Sequence, residues 1–254
     1  MRRFWPLLLL VVLLVAAAAG GWALGTFLRL DLPDVRALED YSPPVMTRVV
    51  AADGTLLETF AEQRRILIDY REIPPVFLQA LLAAEDDGFY RHTGIDAKGV
   101  ARAVWRDVTS LQLKQGASTL TQQLARNLFL KPDKTPRRKA QEAVLALEIE
   151  RLYSKEEILR FYCNQIYMGH GRYGLEAAAR FYYGKPAREL SLTEAATLAG
   201  LIQRPESLSP VRNPKRALTR RNWVLGRMAE TGALPAERVR EAQQRPLDAP
   251  AGRR

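Results

Sequence analysis

The sequence predicts a mainly α-helical domain, preceded by a short β-hairpin and a single N-terminal transmembrane helix. Three observations predict it. No charged residue occurs from Phe4 to Leu28. The segments Val45 to Ala51 and Thr55 to Phe60 are β-rich and flank Asp53-Gly54, a strong hairpin signal. After Pro74-Pro75, apolar residues recur at three- and four-residue spacing almost to the end of the chain, punctuated by helix-capping residues.

The elements follow in order. An apolar helix of roughly 23 residues, rising about 1.5 Å per residue, spans about 35 Å and crosses a hydrocarbon core of about 30 Å. Arg2 and Arg3 precede the run, so residues 1–3 stay in the cytoplasm, residues 4–28 form the anchor and the rest is exported. Ala16 to Ala19 would suit a cleaved signal peptide, but the run is long for one and favours an uncleaved anchor. Residues 29–44, with three prolines and mixed charge, read as a juxtamembrane linker. Arg65 to Asp69 adds a third short strand. Val76 to Ala84 is helical, with Val76, Phe77, Ala80, Leu81 and Ala84 on its apolar face.

Further along, Ser154-Lys155-Glu156-Glu157 and Ser191-Leu192-Thr193-Glu194 are capping boxes that open helices from Lys155 to Met168 and to about Ile202. Leu175 to Tyr182 is a short helix among glycines. Asn213-Pro214 starts a basic helix ending near Gly232, a last helix covers about Ala236 to Gln244, and residues 248–254 form a frayed tail. Gly99 to Gln115 mixes Val100, Val104, Trp105, Val108, Leu111 and Leu113 with Arg102, Arg106 and Lys114. That pattern fits either a core helix or a segment dipping into lipid headgroups.

Composition narrows the function. The 254 residues carry 38 Lys+Arg against 28 Asp+Glu, a net charge of +10, which calls for an anionic partner. No nucleic-acid motif is present and aromatics are not interleaved with the basic residues, so membrane and phosphate take the charge rather than nucleic acid. The single cysteine, Cys163, excludes an internal disulfide and a Cys-based metal cluster, and reads as a small apolar residue in a helix. His92 and His170 show neither metal-ligand spacing nor a nucleophile signature.

Three stretches carry chemistry. Glu85-Asp86-Asp87-Gly88 places three carboxylates where a packed helix opens into a loop. In Gly116 to Asn127, Ser118 is a natural N-cap, and Ser118, Gln122 and Arg126 share one helix face opposite Leu120, Leu124 and Leu128. Hydroxyl, amide and guanidinium in a row suit sugar and phosphate. Lys131 to Lys139 is a cationic loop leading into a helix whose stripe is Arg138, Glu142, Leu145, Ile149 and Leu152, which sets a carboxylate at the head of a core face.

These residues resemble the peptidoglycan glycosyltransferases of glycosyltransferase family 51, which comprises monofunctional transglycosylases and the N-terminal domain of class A penicillin-binding proteins. Glu85 to Gly94 is similar to the first family motif, Gly116 to Asn127 to the second and Arg138 to Glu142 to the third. Ile158 to Tyr173 resembles the fourth, and Leu190 to Ala199 with Pro205 and Pro210 the fifth. The resemblance covers residues 45–247, in motif order. It implies a lysozyme-like helical head with a smaller membrane-proximal jaw at Gly99 to Gln115. It also implies polymerisation of lipid II, an undecaprenyl-pyrophosphoryl disaccharide-peptide, into β-1,4 glycan with inversion. By motif match Glu85 is the general base on the acceptor hydroxyl and Glu142 the donor-side carboxylate. Asp86, Ser118, Gln122, Gln123, Arg126, Lys134, Arg138, Lys139, Asn164 and Tyr167 fall where the family binds substrate and pyrophosphate. Arg126 stands where many members carry Lys, so a forked guanidinium replaces a point charge.

The chemistry agrees. A sugar pyrophosphate is already a good leaving group and needs cations to hold it, so one base and a basic ring suffice for transfer with inversion. No cofactor is obligatory; a Mg²⁺ or Mn²⁺ ion on the pyrophosphate near Glu85 and Asp86 is the one the chemistry admits. The implied partners are lipid II, nascent glycan, membrane lipid, penicillin-binding transpeptidases and divisome or elongasome proteins. A lysozyme-like hydrolase is the first rival, disfavoured because neutral glycan offers no pyrophosphate to the Arg126, Lys134, Arg138 and Lys139 cluster. A non-catalytic scaffold is the second. No Ser-x-x-Lys transpeptidase site occurs, yet Ser209 to Leu247 resembles the tract leading class A proteins into that domain, so a monofunctional enzyme and a shortened bifunctional one both fit.

Overall fold

A computed structural model describes residues 31–39, 47–53, 56–60, 63–101 and 118–247, together with positions 14, 15, 21 and 25. Among the described residues no helix is long and apolar enough to cross a membrane. The expected anchor lies outside them apart from those four positions, as do most of the expected jaw segment (102–115 of 99–115) and the tail from 248.

Strands are few. β1 (Thr47–Val50) and β2 (Leu56–Phe60) form the antiparallel hairpin expected around Asp53-Gly54, with Thr47 opposite Phe60 and an irregularity at Val49/Val50. The third strand differs from expectation. Only Arg64–Arg65 (β3) is a strand, and it pairs in parallel with Arg172–Tyr173 (β4) rather than with the hairpin. Residues 66–69 leave the ladder because Ile68 is clasped instead by Asn164: its N–H donates to Asn164 Oδ1 (3.0 Å), and Asn164 Nδ2 donates to its carbonyl (2.9 Å).

Helices carry the fold: α1 (Pro75–Glu85), α2 (Leu120–Phe129), α3 (Pro136–Leu152), α4 (Lys155–Gln165), α5 (Leu175–Tyr183), α6 (Leu192–Leu201), α7 (Pro214–Glu230) and α8 (Ala236–Gln244). Proline stands at the first turn of α1, α3 and α7, where its missing N–H would have been unpaired in any case. Both expected capping boxes form: Ser154 and Ser191 accept from the N–H groups of Glu157 and Glu194, whose carboxylates accept from the serine N–H groups in return. The helix opened by Ser154 stops at Gln165, three residues short of expectation.

The core has α6 at its centre, packed by α1 and α7. Its small residues Ala195, Ala196 and Ala199 are fully buried and let both neighbours approach closely. A Cβ on Gly200 would lie 3.0 Å from Arg220 Cγ, so this glycine lets an α7 side chain cross against α6. A second layer is formed by α2 against α3 and α4, through Leu120, Leu124, Leu145, Ile149, Ile158 and Leu159, all buried. Cys163 is buried in this core as a small apolar residue. Leu152, expected in the apolar stripe of α3, is 36% exposed, because the stripe has rotated off the core by the last turn.

Part of the expected linker is docked. Residues 35–38 form a 3-10 turn capped by Asp34, and its Val35 and Leu38 are buried against α3. Tyr153 Oη donates to the Val35 carbonyl (3.2 Å) and Gln141 Nε2 to that of Asp31 (2.9 Å), which ties the segment to the head.

Candidate active site

Glu85 is the last residue of α1, a helix that packs against α7. Gln123 Nε2 on α2 donates to its Oε2 at 3.0 Å, and Tyr162 Oη on α4 donates to Gln123 Oε1 at 3.0 Å. Arg220 on α7 sets Nη2 3.8 Å from Glu85 Oε1. Burial raises the Glu85 carboxyl above the usual carboxylate range. The Gln123 hydrogen bond and the charges of Arg220 and Arg126 pull it down only in part. A buried carboxylate of this kind is a stronger base than a surface one.

Glu142, 1% exposed, sits on the first half of α3. Arg138 pairs with one of its carboxylate oxygens, and Lys139 Nζ lies 2.9 Å from the other. Lys139 also donates to Ser118 Oγ (2.7 Å) and to Gln122 Oε1 (3.5 Å). Burial, followed by the charges of Arg126 and Arg138, lowers the Lys139 ammonium below its ordinary range.

α2 joins the two carboxylates. Gln123 reaches Glu85 while its neighbour Gln122 reaches the Lys139–Glu142 pair. Arg126 lies one turn further along the same helix, and its charge bears on both Glu85 and Lys139. A cavity of about 290 Å³ opens beside Gln123 and Arg126, lined also by Asn127, Tyr167, Tyr173 and Pro205, while neither Glu85 nor Glu142 is among the residues that line it. Its volume lies at the small end of ligand pockets, roughly 300–1,000 Å³, and suits one sugar or phosphate group. Tyr167 presents its ring to this cavity and its hydroxyl to Glu206 (2.5 Å).

Three expected site residues stand elsewhere. Asp86 is 8% exposed and turned inward. Its Oδ2 accepts from the Leu120 N–H (3.0 Å) at the start of α2, and both oxygens lie 3.1 Å from His92 Nε2. Burial raises its carboxyl, countered in part by Leu120, His92 and Lys155. Asp86 therefore braces α2 rather than facing the cavity. Asn164 is 4% exposed, with its amide engaged both ways on Ile68. Lys134 is exposed on the loop between α2 and α3.

The N-cap of α2 is Thr119, not Ser118. Its hydroxyl accepts from the Gln122 N–H and donates to the Gly94 carbonyl (2.7 Å), while Gln122 Oε1 accepts from the Thr119 N–H. Ser118, one residue outside, is left to meet Lys139. The pyrophosphate-bound divalent ion entertained beside Glu85 and Asp86 would have to draw its ligands mainly from the substrate. Both Asp86 oxygens are engaged, and no group of three His, Cys, Asp or Glu residues suited to a metal is found among the described residues.

Sequence reasoning missed Arg220 beside Glu85 and Tyr162 behind Gln123. It also missed the buried brace under α2, where Thr121 Oγ1 and Lys155 Nζ both donate to Glu150, at 2.7 and 2.5 Å, and His92 Nδ1 lies 3.9 Å from that carboxylate. The only sequence signal for Arg220 was its place in a run of basic residues.

The model of the family described as transglycosylase matches residues 53–229. The chain belongs to that family. It is a peptidoglycan glycosyltransferase domain, as the motifs implied. Curated relatives of this transglycosylase include penicillin-binding protein 1A of Pseudomonas aeruginosa, 43% identical over 223 residues (88% of this chain, 27% of that one). The protein of the same name from Aquifex aeolicus is 45% identical over 217 residues (85% and 30%), and that of Escherichia coli 40% over 228 residues (90% and 27%). The chain thus spans under a third of the length of these relatives. A crystal structure of penicillin-binding protein 1A from Haemophilus influenzae aligns at a TM-score of 0.46 and 25% identity, covering 81% of this chain and 21% of that one.

Proposed function

We propose that the transglycosylase polymerises lipid II into β-1,4 glycan strands with inversion, releasing undecaprenyl pyrophosphate. The supporting observation is that one helix, α2, which carries Arg126, ties a buried carboxylate of raised pKa to the Arg138 and Lys139 cations gathered on Glu142.

In this reading Glu85 takes the proton from the 4-hydroxyl of the acceptor sugar as that oxygen attacks the donor's anomeric carbon. The carbon–oxygen bond to pyrophosphate breaks as the new glycosidic bond forms. The cations receive the negative charge that develops on the leaving pyrophosphate, where fixed charges cost no reorganisation during the reaction. Glu142 holds Arg138 and Lys139 in place. Lys139 is shared between Ser118, Gln122 and Glu142, and is thereby aimed rather than loose. Gln123 orients Glu85, and Tyr162 fixes the amide of Gln123 so that its N–H side faces the base. Tyr167 and Arg126 border the sugar-sized cavity.

The uncharged segment at residues 4–28 would anchor the chain in the cytoplasmic membrane with the head outside, beside its lipid-linked substrate. Anchoring enzyme and substrate in one membrane raises their effective concentration. Transpeptidases and other cell-wall assembly proteins are the partners such a product requires.

Incubating the purified chain with lipid II, and separately with finished glycan, tests the reading against the hydrolase rival. Polymer from lipid II with intact finished glycan is expected. Fragments from glycan and no polymer from lipid II would reverse the assignment.

A further inference from the structure

A second groove lies on the far side of Arg220. It has a volume of about 460 Å³ and is bounded by Leu208, Lys215, Arg216, Thr219, Arg220 and Trp223. Arg216, Arg220 and Trp223 fall at i, i+4 and i+7 of α7 and so share one helix face. Trp223 is 44% exposed, an uncommon cost for so large an apolar ring on a helix whose Val224, Leu225 and Met228 are fully buried. The Arg220 guanidinium stacks 3.9 Å from the indole centroid, and an Nη of the same group lies 3.8 Å from Glu85. One side chain therefore forms both the wall of this groove and a neighbour of the base.

Of the groove's cations only Arg220 faces a carboxylate, that of Glu85. Neither Lys215 nor Arg216 has an acidic partner among the described residues, and Arg220 Nε is buried there without a hydrogen-bond acceptor. Arg216 and Arg220, one turn apart, repel one another. Cations gathered around an exposed indole, with nothing acidic between them, complement a ligand that carries carboxylates beside a flat, partly apolar body.

We propose that this groove is a subsite for the acidic peptide borne by the disaccharide substrate, holding the peptide's carboxylates on Lys215 and Arg216 and its sugar-proximal end on Trp223. The inference rests on the polymerase reading, which supplies a peptide-bearing sugar at Glu85. Its continuity with the base through Arg220 favours substrate over a membrane headgroup, since a bilayer seated here would cover the approach to Glu85.

The test is isothermal titration of the full chain in detergent with two soluble disaccharides of N-acetylglucosamine and N-acetylmuramic acid, one bearing the peptide and one bare, and with vesicles containing phosphatidylglycerol. The peptide-bearing disaccharide is expected to bind at least tenfold more tightly than the bare one. The paired change Lys215→Gln and Arg216→Gln, at two exposed positions, is expected to abolish that preference, and Trp223→Ala to weaken binding of the peptide-bearing ligand. Equal affinities for the two disaccharides, a preference that survives the paired change, or a paired variant that loses only vesicle binding would each overturn the subsite. The readout is binding, so failure to polymerise lipid II would remove the catalytic reading without altering this result, and equal affinities would remove the subsite without touching polymerisation.

Discussion

Replacing Gln123 by alanine removes the side chain that, among the described residues, donates a hydrogen bond to Glu85 (3.0 Å) while being fixed from behind by Tyr162 (3.0 Å). A hydrogen bond to a charged acceptor contributes about 1.5–3 kcal/mol. Glu85 is 14% exposed, so little water is available to replace it. The lost bond favours the protonated carboxyl, so the already raised Glu85 pKa moves further up. A general base works only when ionised, so kcat/KM for lipid II rises with pH through that pKa. On the acid side the variant should lose roughly 10- to 100-fold, since about 1.4 kcal/mol is a factor of ten. The deficit should close as pH rises past the shifted limb. Tyr162→Phe keeps the donor on Glu85 and should leave the limb nearly in place. The assay is the pH profile of lipid II polymerisation for the three proteins. A Gln123→Ala loss of the same size at every pH would refute the claim that Gln123 acts through the ionisation of Glu85.

Three further outcomes are expected. Because the folded-state pKa of Glu85 is raised, its contribution to stability is full below the unfolded value of 4.5 and is lost as pH rises through the folded value. Glu85→Gln should therefore melt higher than the parent at neutral pH, by roughly 2–4 °C per kcal/mol relieved, with the difference vanishing towards pH 4 in thermal scans. Glu142→Ala leaves Arg138 and Lys139 facing a buried site without their carboxylate. Removing one partner of a buried pair costs about 3–5 kcal/mol, and Lys139 is half-exposed, so the lower end should appear in denaturant titration alongside lost polymerisation. Gly94 has φ +86°, and a Cβ there would lie 2.7 Å from the Ala146 carbonyl on α3. Gly94→Ala should lower the unfolding midpoint and loosen Thr119, whose hydroxyl donates to the Gly94 carbonyl, detectable as faster amide exchange at the start of α2.

The parts of the fold governed by neighbouring residues were legible in the sequence. The hairpin at Asp53-Gly54, the serine capping boxes and the prolines that open helices all depend on contacts within a turn, and each forms as read. The opposed faces of α2 emerged in part: periodicity puts Leu120 and Leu124 in the core and Arg126 at the rim, but Gln122 on the expected polar face is buried and Ser118 stands outside the helix. Where a long-range partner decides the outcome, local reading failed. Ser118 and Thr119 are equally good caps by composition, and the Gly94 carbonyl selects Thr119. Asp86 looks like a cleft carboxylate until the N-terminus of α2 arrives to take it. Residues 66–69 have strand composition but meet Asn164 instead of a strand. Arg220 is brought to Glu85 only by the packing of α7 on α6, where Gly200 makes room for it.

The central claim is that Glu85 accepts a proton while cations across the groove hold a leaving pyrophosphate. Its most direct test is the initial rate of lipid II polymerisation by the parent chain and by Glu85→Gln, which preserves shape and removes only the basic oxygen. A general base contributes typically 10²–10⁴-fold, so the variant should fall by at least about 100-fold with lipid II binding retained. A Glu85→Gln protein that polymerises within a few fold of the parent would contradict the account.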